Sequence, residues 1–381
     1  MAATLDQSLA MNEDQQLIRE SALRFLEEQE PIAELRSLRD GEEPSGVSPA
    51  FWDEISALGW PGLLAPESFG GSGLGFQELG VVFEALGRHV ASTPLFSSGV
   101  LATSALTLVK GWGNLPKAAD LATGAIRVAL GLEETSRFDL DRIETLATRD
   151  GQGYRLSGRK RPVLDAATAD LLLVVARIDG DEDLLGLFCL PPGIEGIGMT
   201  PLRWIDGRRA VELRLDDVVA GGDALLGPPL PRRELLDSLL DRAATVLAAE
   251  LVGISAEAFD MTVQFLKTRE QFDQTLAEFQ ALQHRCARMF SEIERTISLV
   301  QEALRALDEG GADASMLASA AKAMASDTAR HVTEEALQLF GGLGMTEEQD
   351  IGLYFKRART SSVLFGDAPY HYRRYAHLNG F

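Results

Sequence analysis

Cysteine is almost missing from this chain. There are two in 381 residues, Cys189 and Cys286, far apart and each set in an apolar run. That excludes a disulfide framework and predicts reduced core thiols in a cytoplasmic protein. Basic residues are also short: 36 Lys and Arg stand against 57 Asp and Glu, a formal net charge of −21. Such a balance argues against nucleic acid or an anionic membrane surface as the main partner, while a few gathered cations could still hold a small phosphorylated ligand. No charged-then-apolar segment opens the chain and no apolar run is long enough to span a bilayer, so membrane insertion is not expected. No metal site is expected, and there is no internal repeat or low-complexity tract. What is present is 45% hydrophobic content, enough to bury a sizeable core in two or three domains.

Three regions follow one another. Residues 1–126 read as a helical N-terminal domain. Apolar residues recur at helical spacing from Glu13 to Glu28, and Ser48-Pro49 reads as a helix start. Gly70, Gly71, Gly73 and Gly75 superficially suggest a phosphate loop, but no strand precedes them and no Lys follows, so a loop ahead of a helix over Gln77–His89 is expected. A further helical stretch is expected over about Val100 to Thr123. Residues 127–228 change to short β-rich runs at Val128–Leu132, Tyr154–Ser157, Asp170–Ala176, Leu184–Leu190 and Ala210–Leu215, which predict a small antiparallel β-domain. Residues 229–381 return to helical spacing. Leu247, Leu251, Ile254, Ala258, Met261 and Phe265 form one stripe; Leu282, Cys286, Met289, Ile293, Ile297, Val300 and Leu304 form another. An Ala-rich helix from about Asp313 to Phe340 adds a third. Long helices with short connections predict a four-helix bundle.

Ala336 to Gly366 carries the most information. A helix-like run ends at Gly341-Gly342, where paired glycines permit positive φ and close approach of another backbone or a phosphate. A helical pattern with Tyr354, Lys356 and Arg357 follows. Upstream lie Arg269-Glu-Gln271-Phe272, then Phe279-Gln280 and Gln283-His284. These segments resemble the R-x-x-F-G…F-Q and Q-x-x-G-G-x-G signatures of the acyl-CoA dehydrogenase family, with Asp273 in place of the usual Gly. Gly59–Gly75 is similar to a third family element, and the order of the three regions resembles the family layout over nearly the whole chain. The fold implied is α+β: helical N-domain, central antiparallel β-domain, C-terminal four-helix bundle. The resemblance implies that Arg269, Gln271, Phe272, Gln280, Gln338, Gly341 and Gly342 contact the ADP half of an FAD held by a neighbouring subunit, and hence an oligomer. An arginine fork suits a pyrophosphate, and Phe272 gives an apolar surface to an adenine or ribityl edge.

The resemblance breaks at the chemistry. The family removes an α-proton with a carboxylate while hydride leaves for the flavin. The usual base lies 27 residues after the motif glutamine; 338 + 27 is Phe365. Some relatives place it 26 residues before the motif arginine; 269 − 26 is Ala243, with Asp241 a weak candidate on another helix face. The family's flavin-ring segments resemble Leu132-Glu133-Glu134 and Pro162-Val163-Leu164, so two ring-bonding hydroxyls have become leucines and a packing Trp has become Pro162. Each loss is expected to cost about 1–3 kcal/mol of binding. Phe365-Gly-Asp367-Ala-Pro-Tyr-His371 resembles bacterial relatives acting on bulky ring-system thioesters such as steroid side chains, some of them heterotetramers in which one of two related chains holds FAD and the base. Asp367 and His371 themselves read as a structural surface pair rather than an acid/base pair.

Two functions are compatible with these residues. One is a non-catalytic companion that completes the FAD site of a related acyl-CoA dehydrogenase chain. The alternative is an active homo-oligomer with an atypical base, Asp241 or Glu133. Either assembly implies an acyl-CoA substrate and an electron-transfer flavoprotein as acceptor, and we expect the first.

Overall fold

The first helix begins where the sequence places it. Asn12 accepts the Gln15 N–H at 2.8 Å and the Gln15 side chain accepts the Asn12 N–H at 3.2 Å. This reciprocal cap satisfies two otherwise orphaned donors and starts α1 (Glu13–Gln29). α2 (Pro31–Asp40) follows at once. Ser48 caps α3 (Pro49–Ala57) by accepting the Phe51 N–H at 3.2 Å, and α4 spans Phe76–Arg88. The computed structural model describes residues 11–40 and 48–381.

The continuous helix expected over Val100 to Thr123 is broken. A π-helical turn occupies Phe96–Ala102, then α5 covers Thr103–Leu108, a 3₁₀ turn covers Trp112–Asn114, and α6 covers Ala118–Ala122. Lys110 and Lys117 both take positive φ, and Leu115, preceding Pro116, is extended. Proline's ring disfavours helical geometry in the residue before it, which the apolar spacing alone did not reveal.

The β-region is a mixed sheet, not a purely antiparallel one. Its strands are β1 (Val128–Gly131), β2 (Leu146–Asp150), β3 (Gly153–Leu164), β4 (Leu171–Ile178), β5 (Asp181–Leu190), β6 (Ile197–Arg203), β7 (Arg209–Ala220) and the short β8 (Leu230–Pro231). They run in the order β6-β7-β3-β2-β4-β5-β8, with β1 on β4. β1 and β2 both pair with β4 in parallel, while the other pairs are antiparallel. β6 carries Pro201 and lies at the sheet edge, where a missing N–H is tolerated. Pro162 sits inside a register shift between Lys160 and Val163 on β3, which removes the same conflict there. Ala129, Leu156, Val174, Phe188, Leu213 and Val218 are among the residues of the sheet's core.

C-terminal to the sheet run α7 (Arg232–Thr268), α8 (Gln280–Glu309), α9 (Ala314–Phe340), α10 (Ile351–Val363) and α11 (Ala368–Leu378). Between α7 and α8 sits a two-strand hairpin, β9 (Glu270–Gln271) with β10 (Gln274–Thr275). Two compact units result. Among the described residues one gathers 11–35, Phe76–Ala91 and Ala244–Phe381; the other gathers 36–40, 48–75 and Ser92–Ala243. In the first unit α4 meets α7 at glycines. A Cβ on Gly87 would lie 2.2 Å from the Glu250 carbonyl oxygen, and one on Gly253 would lie 2.0 Å from that of Glu84. Backbone approaches backbone there, so no side chain fits at either position. Cys189 is buried, as expected, and its thiol is pushed up to about 11, by burial first and by Asp223 second; Cys286 is only half-buried on α8. No helix among the described residues is long and apolar enough to cross a membrane.

Candidate functional site

The first unit gathers all seven residues expected to face a cofactor at one end of its helices. α7 stops at Thr268, and the Arg269 N–H still donates to Phe265 at 2.9 Å. The Leu276 N–H then donates to the Arg269 carbonyl at 2.9 Å, closing the β9–β10 hairpin. Its two loop residues, Phe272 and Asp273, have φ of 59° and 63°. Two consecutive positive φ values are what a tight two-residue hairpin loop demands, and Asp is one of the few side chains that tolerates them. That is how Asp273 stands where the resemblance expects Gly. The loop lifts Phe272 into solvent, 83% exposed, with its ring edge-on to Phe279 at 6.2 Å. Arg269, Gln271 and Gln280 are exposed beside it, and the Arg269 guanidinium makes no hydrogen bond or ion pair among the described residues.

α9 delivers the other half. Phe340 stacks on Phe265 with ring centroids 4.3 Å apart, which fixes the end of α9 against the end of α7. Gln338 is exposed on the last turn. Gly341 closes the helix through its N–H to the Gln338 carbonyl and takes φ 62°, ψ −141°, a conformation open in practice only to glycine. A Cβ on Gly341 or Gly342 would meet nothing within 4 Å. The turn therefore offers bare backbone to an empty side. Leu343 and Met345 follow, exposed.

Within the same unit, α10 ends at Val363 and Phe365 turns the chain with φ 52°, at 4% exposure. A phenyl ring in the left-handed region is uncommon, and two fully buried side chains hold it. Lys322 Nζ donates to the carbonyls of Ser362 (3.0 Å) and Gly366 (3.1 Å), and His371 Nε2 donates to the Phe365 carbonyl at 2.8 Å. Asp367 caps α11, accepting the Tyr370 N–H at 2.9 Å. The expected surface pair of Asp367 and His371 is thus corrected: His371 is fully buried and its partner is backbone. Burial, with Lys322 and Arg374 adding, pushes His371 down to about 3, and burial pushes Lys322 down to about 7 against Asp367 and Glu250. Neither role was legible beforehand, since a lone Lys in an Ala-rich helix usually snorkels to solvent. Tyr354 and Arg357 of α10 are structural too. The Tyr354 hydroxyl donates to the Arg88 carbonyl at 2.5 Å, and Arg357 donates to the Ala91 carbonyl at 2.8 Å.

The second unit holds the other sequence candidates. Ala243 is fully buried on α7 and carries no titratable group; Asp241 is buried nearby on the same helix. At the end of β1, Leu132 is buried, and its carbonyl accepts from Lys160 Nζ at 3.2 Å. Lys160 also donates to Glu134 at 2.6 Å, and Glu134 accepts the Glu144 and Thr145 N–H groups at 2.6 and 3.0 Å. Burial would raise Glu134, but Lys160 and those donors hold it below its ordinary value. Glu133 has no such help, and burial pushes it up to about 8. At the end of β3, Leu164 is buried, and Asp165 accepts the Ser97 hydroxyl at 2.6 Å while burial pushes it up to about 6. Neither Leu132 nor Leu164 offers a side-chain hydrogen-bonding group, and the nearby ammonium of Lys160 is already engaged.

Residues 12–114 match the family model described as acyl-CoA dehydrogenase, N-terminal domain, and residues 234–376 match that described as acyl-CoA dehydrogenase, C-terminal domain. Acyl-CoA dehydrogenase IpdE2 of Mycolicibacterium smegmatis is 28% identical over 369 residues, covering 96% of this chain and 98% of the relative. The solved structure of a Tcur3481-Tcur3483 steroid ACAD variant is 30% identical at a TM-score of 0.84, covering 96% of this chain and 98% of its own. The ChsE4-ChsE5 complex from Mycobacterium tuberculosis, 23% identical at a TM-score of 0.87, covers 98% of this chain and 99% of its own and shares the fold.

Proposed function

Because this chain belongs to the acyl-CoA dehydrogenase family, we propose that it works in an FAD-dependent acyl-CoA dehydrogenase complex as the non-catalytic companion of a related chain. The observation that carries this reading is Phe365. It is a buried phenyl ring on a firmly held turn at the family's usual base position, and Ala243 occupies the alternative one. Neither side chain can accept a proton. The ring-binding side is depleted as well. A flavin supplies redox chemistry through a ring edge rich in hydrogen-bonding atoms, and Leu132 and Leu164 leave that edge without side-chain partners.

The ADP-facing group is chemically suited to its expected role. Among the described residues Arg269 is exposed and unengaged and the Gln338 side chain makes no hydrogen bond, while Gly341-Gly342 opens the backbone to a close-lying phosphate or sugar. A chain that keeps these groups while losing the ring seat and the base can complete a neighbour's FAD without running the reaction itself. Two similar structures support assembly from two chains: the Tcur3481-Tcur3483 steroid ACAD and the ChsE4-ChsE5 complex. The former is a steroid enzyme, and a bulky acyl-CoA is the substrate class we assign to the complex. Electrons leave to an electron-transfer flavoprotein, and the assembly works in the cytoplasm.

A second reading is favoured by one observation, the Glu133 carboxyl held near 8. A carboxyl poised there could serve as the base of an active homo-oligomer. The two readings separate on the chain purified alone. The companion carries little FAD and does not dehydrogenate acyl-CoA thioesters, whereas stoichiometric flavin with turnover in a homo-oligomer establishes the second.

A further inference from the structure

The hairpin joining β6 to β7 gathers positive charge in a chain that is otherwise strongly acidic. Arg203 ends β6, Arg209 opens β7, and the two are register partners across the antiparallel pair. Like charges placed opposite each other on adjacent strands repel. The loop's one carboxylate does not relieve them: Asp206 accepts both the Arg208 N–H at 3.3 Å and Arg208 Nε at 2.6 Å. Arg203 is exposed and meets no acceptor among the described residues.

Arg209 is the more informative of the two. It is only 9% exposed, its Nε is buried without an acceptor among the described residues, and its side chain's only hydrogen bond to them runs from one terminal nitrogen to the Leu38 carbonyl near the end of α2, at 3.4 Å. Burial and Arg203 both hold its pKa below the ordinary value, the direction expected when no anion is at hand. A buried guanidinium with an unused donor is rare in folded proteins, and an ion completing it is one of the few physical explanations. Several other arginines on this sheet are matched by carboxylates: Arg155 with Asp150, Arg161 with Glu212, Arg214 with Asp216.

We propose that Arg203 and Arg209 form an oxyanion site for a phosphate group, separate from the groups that face FAD. Two guanidinium forks presented from neighbouring strands suit the several acceptor oxygens of a phosphate, whereas a lone lysine would act only as a point charge. The Leu38 carbonyl holds the Arg209 plane from one side and leaves its other terminal nitrogen for the ligand. The phosphate comes from solution as inorganic phosphate or from the phosphates of a nucleotide such as CoA.

Calorimetric titration of the full-length chain with orthophosphate, pyrophosphate and CoA tests the site and distinguishes its source. The expected result is saturable binding of pyrophosphate that falls about tenfold or more in Arg203→Gln and in Arg209→Lys. Arg203 is exposed, so its variant folds whatever becomes of Arg209. CoA counts only for the part of its binding that Arg203→Gln removes. A larger loss for CoA than for orthophosphate assigns the site to a nucleotide, and equal losses assign it to free phosphate. Wild-type protein that binds none of the three, as when the chain's own carboxylates neutralise the pair, overturns the proposal. So does unchanged binding in Arg203→Gln.

Discussion

The Phe265 ring lies against the Phe340 ring, 4.3 Å between centroids and 14° from parallel. Four residues beyond Phe265 comes Arg269, and immediately beyond Phe340 comes Gly341. One aromatic stack therefore brings together Arg269 and Gly341, 72 residues apart in sequence (341 − 269), and both lie in segments we assign to a partner's cofactor. Such a stack is worth about 0.5–1.5 kcal/mol beyond the area it buries. It makes the group rigid where loops alone would leave it loose.

Gly253→Ala is expected to destabilise the first unit strongly. Its new Cβ would stand 2.0 Å from the Glu84 carbonyl oxygen and 2.9 Å from the Arg88 nitrogen, so α4 and α7 must separate. Overpacking against backbone costs about 3 kcal/mol. The urea midpoint should fall accordingly, and a midpoint within error of wild type would show that the helices yield without cost.

Glu133 gives a pH dependence of known sign. Its folded pKa, about 8, lies above the ordinary value of 4.5, so the folded chain holds its proton more tightly than the unfolded one. The associated stability is full below about pH 4.5 and is lost as pH rises through 8. Glu133→Gln cannot ionise, and its stability advantage over wild type should grow by a few kcal/mol between pH 5 and pH 8. Urea unfolding at the two pH values measures this. Parallel curves for variant and wild type would mean that the carboxyl ionises freely in the folded state.

Phe365→Glu places a carboxyl on a turn already held by Lys322 and His371. The chain should nonetheless remain inactive alone, because in the proposed reading Leu132 and Leu164 give the flavin ring no side-chain hydrogen bonds. An assay with a bulky acyl-CoA and an artificial electron acceptor decides the matter. Turnover from this single change would show that the ring seat is competent.

The long helices could be read from the sequence because each buries one apolar stripe, and Ser48 before Pro49 marked a boundary that the structure keeps. β2 and β6 could not. Both alternate weakly, and β6 lies half-exposed at the edge with a proline in it. Parallel pairing of β1 and β2 with β4 depends on distant partners and leaves no local trace. Of the proposed site, Arg269, Phe272, Gln338 and the glycine pair stand out in the sequence as motifs because each needs a specific side chain or a specific φ. The hold on Phe365 was not, since it rests on Lys322 and His371 donating to backbone carbonyls, and a carbonyl has no residue letter. The clash-tight glycines Gly87 and Gly253 were hidden for a similar reason: helical glycines give no hint of what packs on them.

Arg269→Ala in the complex with a catalytic partner tests the central claim most directly. A guanidinium on a pyrophosphate contributes one or two charge-assisted hydrogen bonds of about 1.5–3 kcal/mol each. Losing them should weaken flavin retention by about ten-fold to several orders of magnitude. The flavin-to-protein absorbance ratio is measured before and after a desalting column, with both chains confirmed folded and associated. The account predicts that the mutant complex emerges depleted of flavin while the wild-type complex keeps it; equal ratios would mean that Arg269 is a solvated charge and that this chain lends nothing to its partner's cofactor.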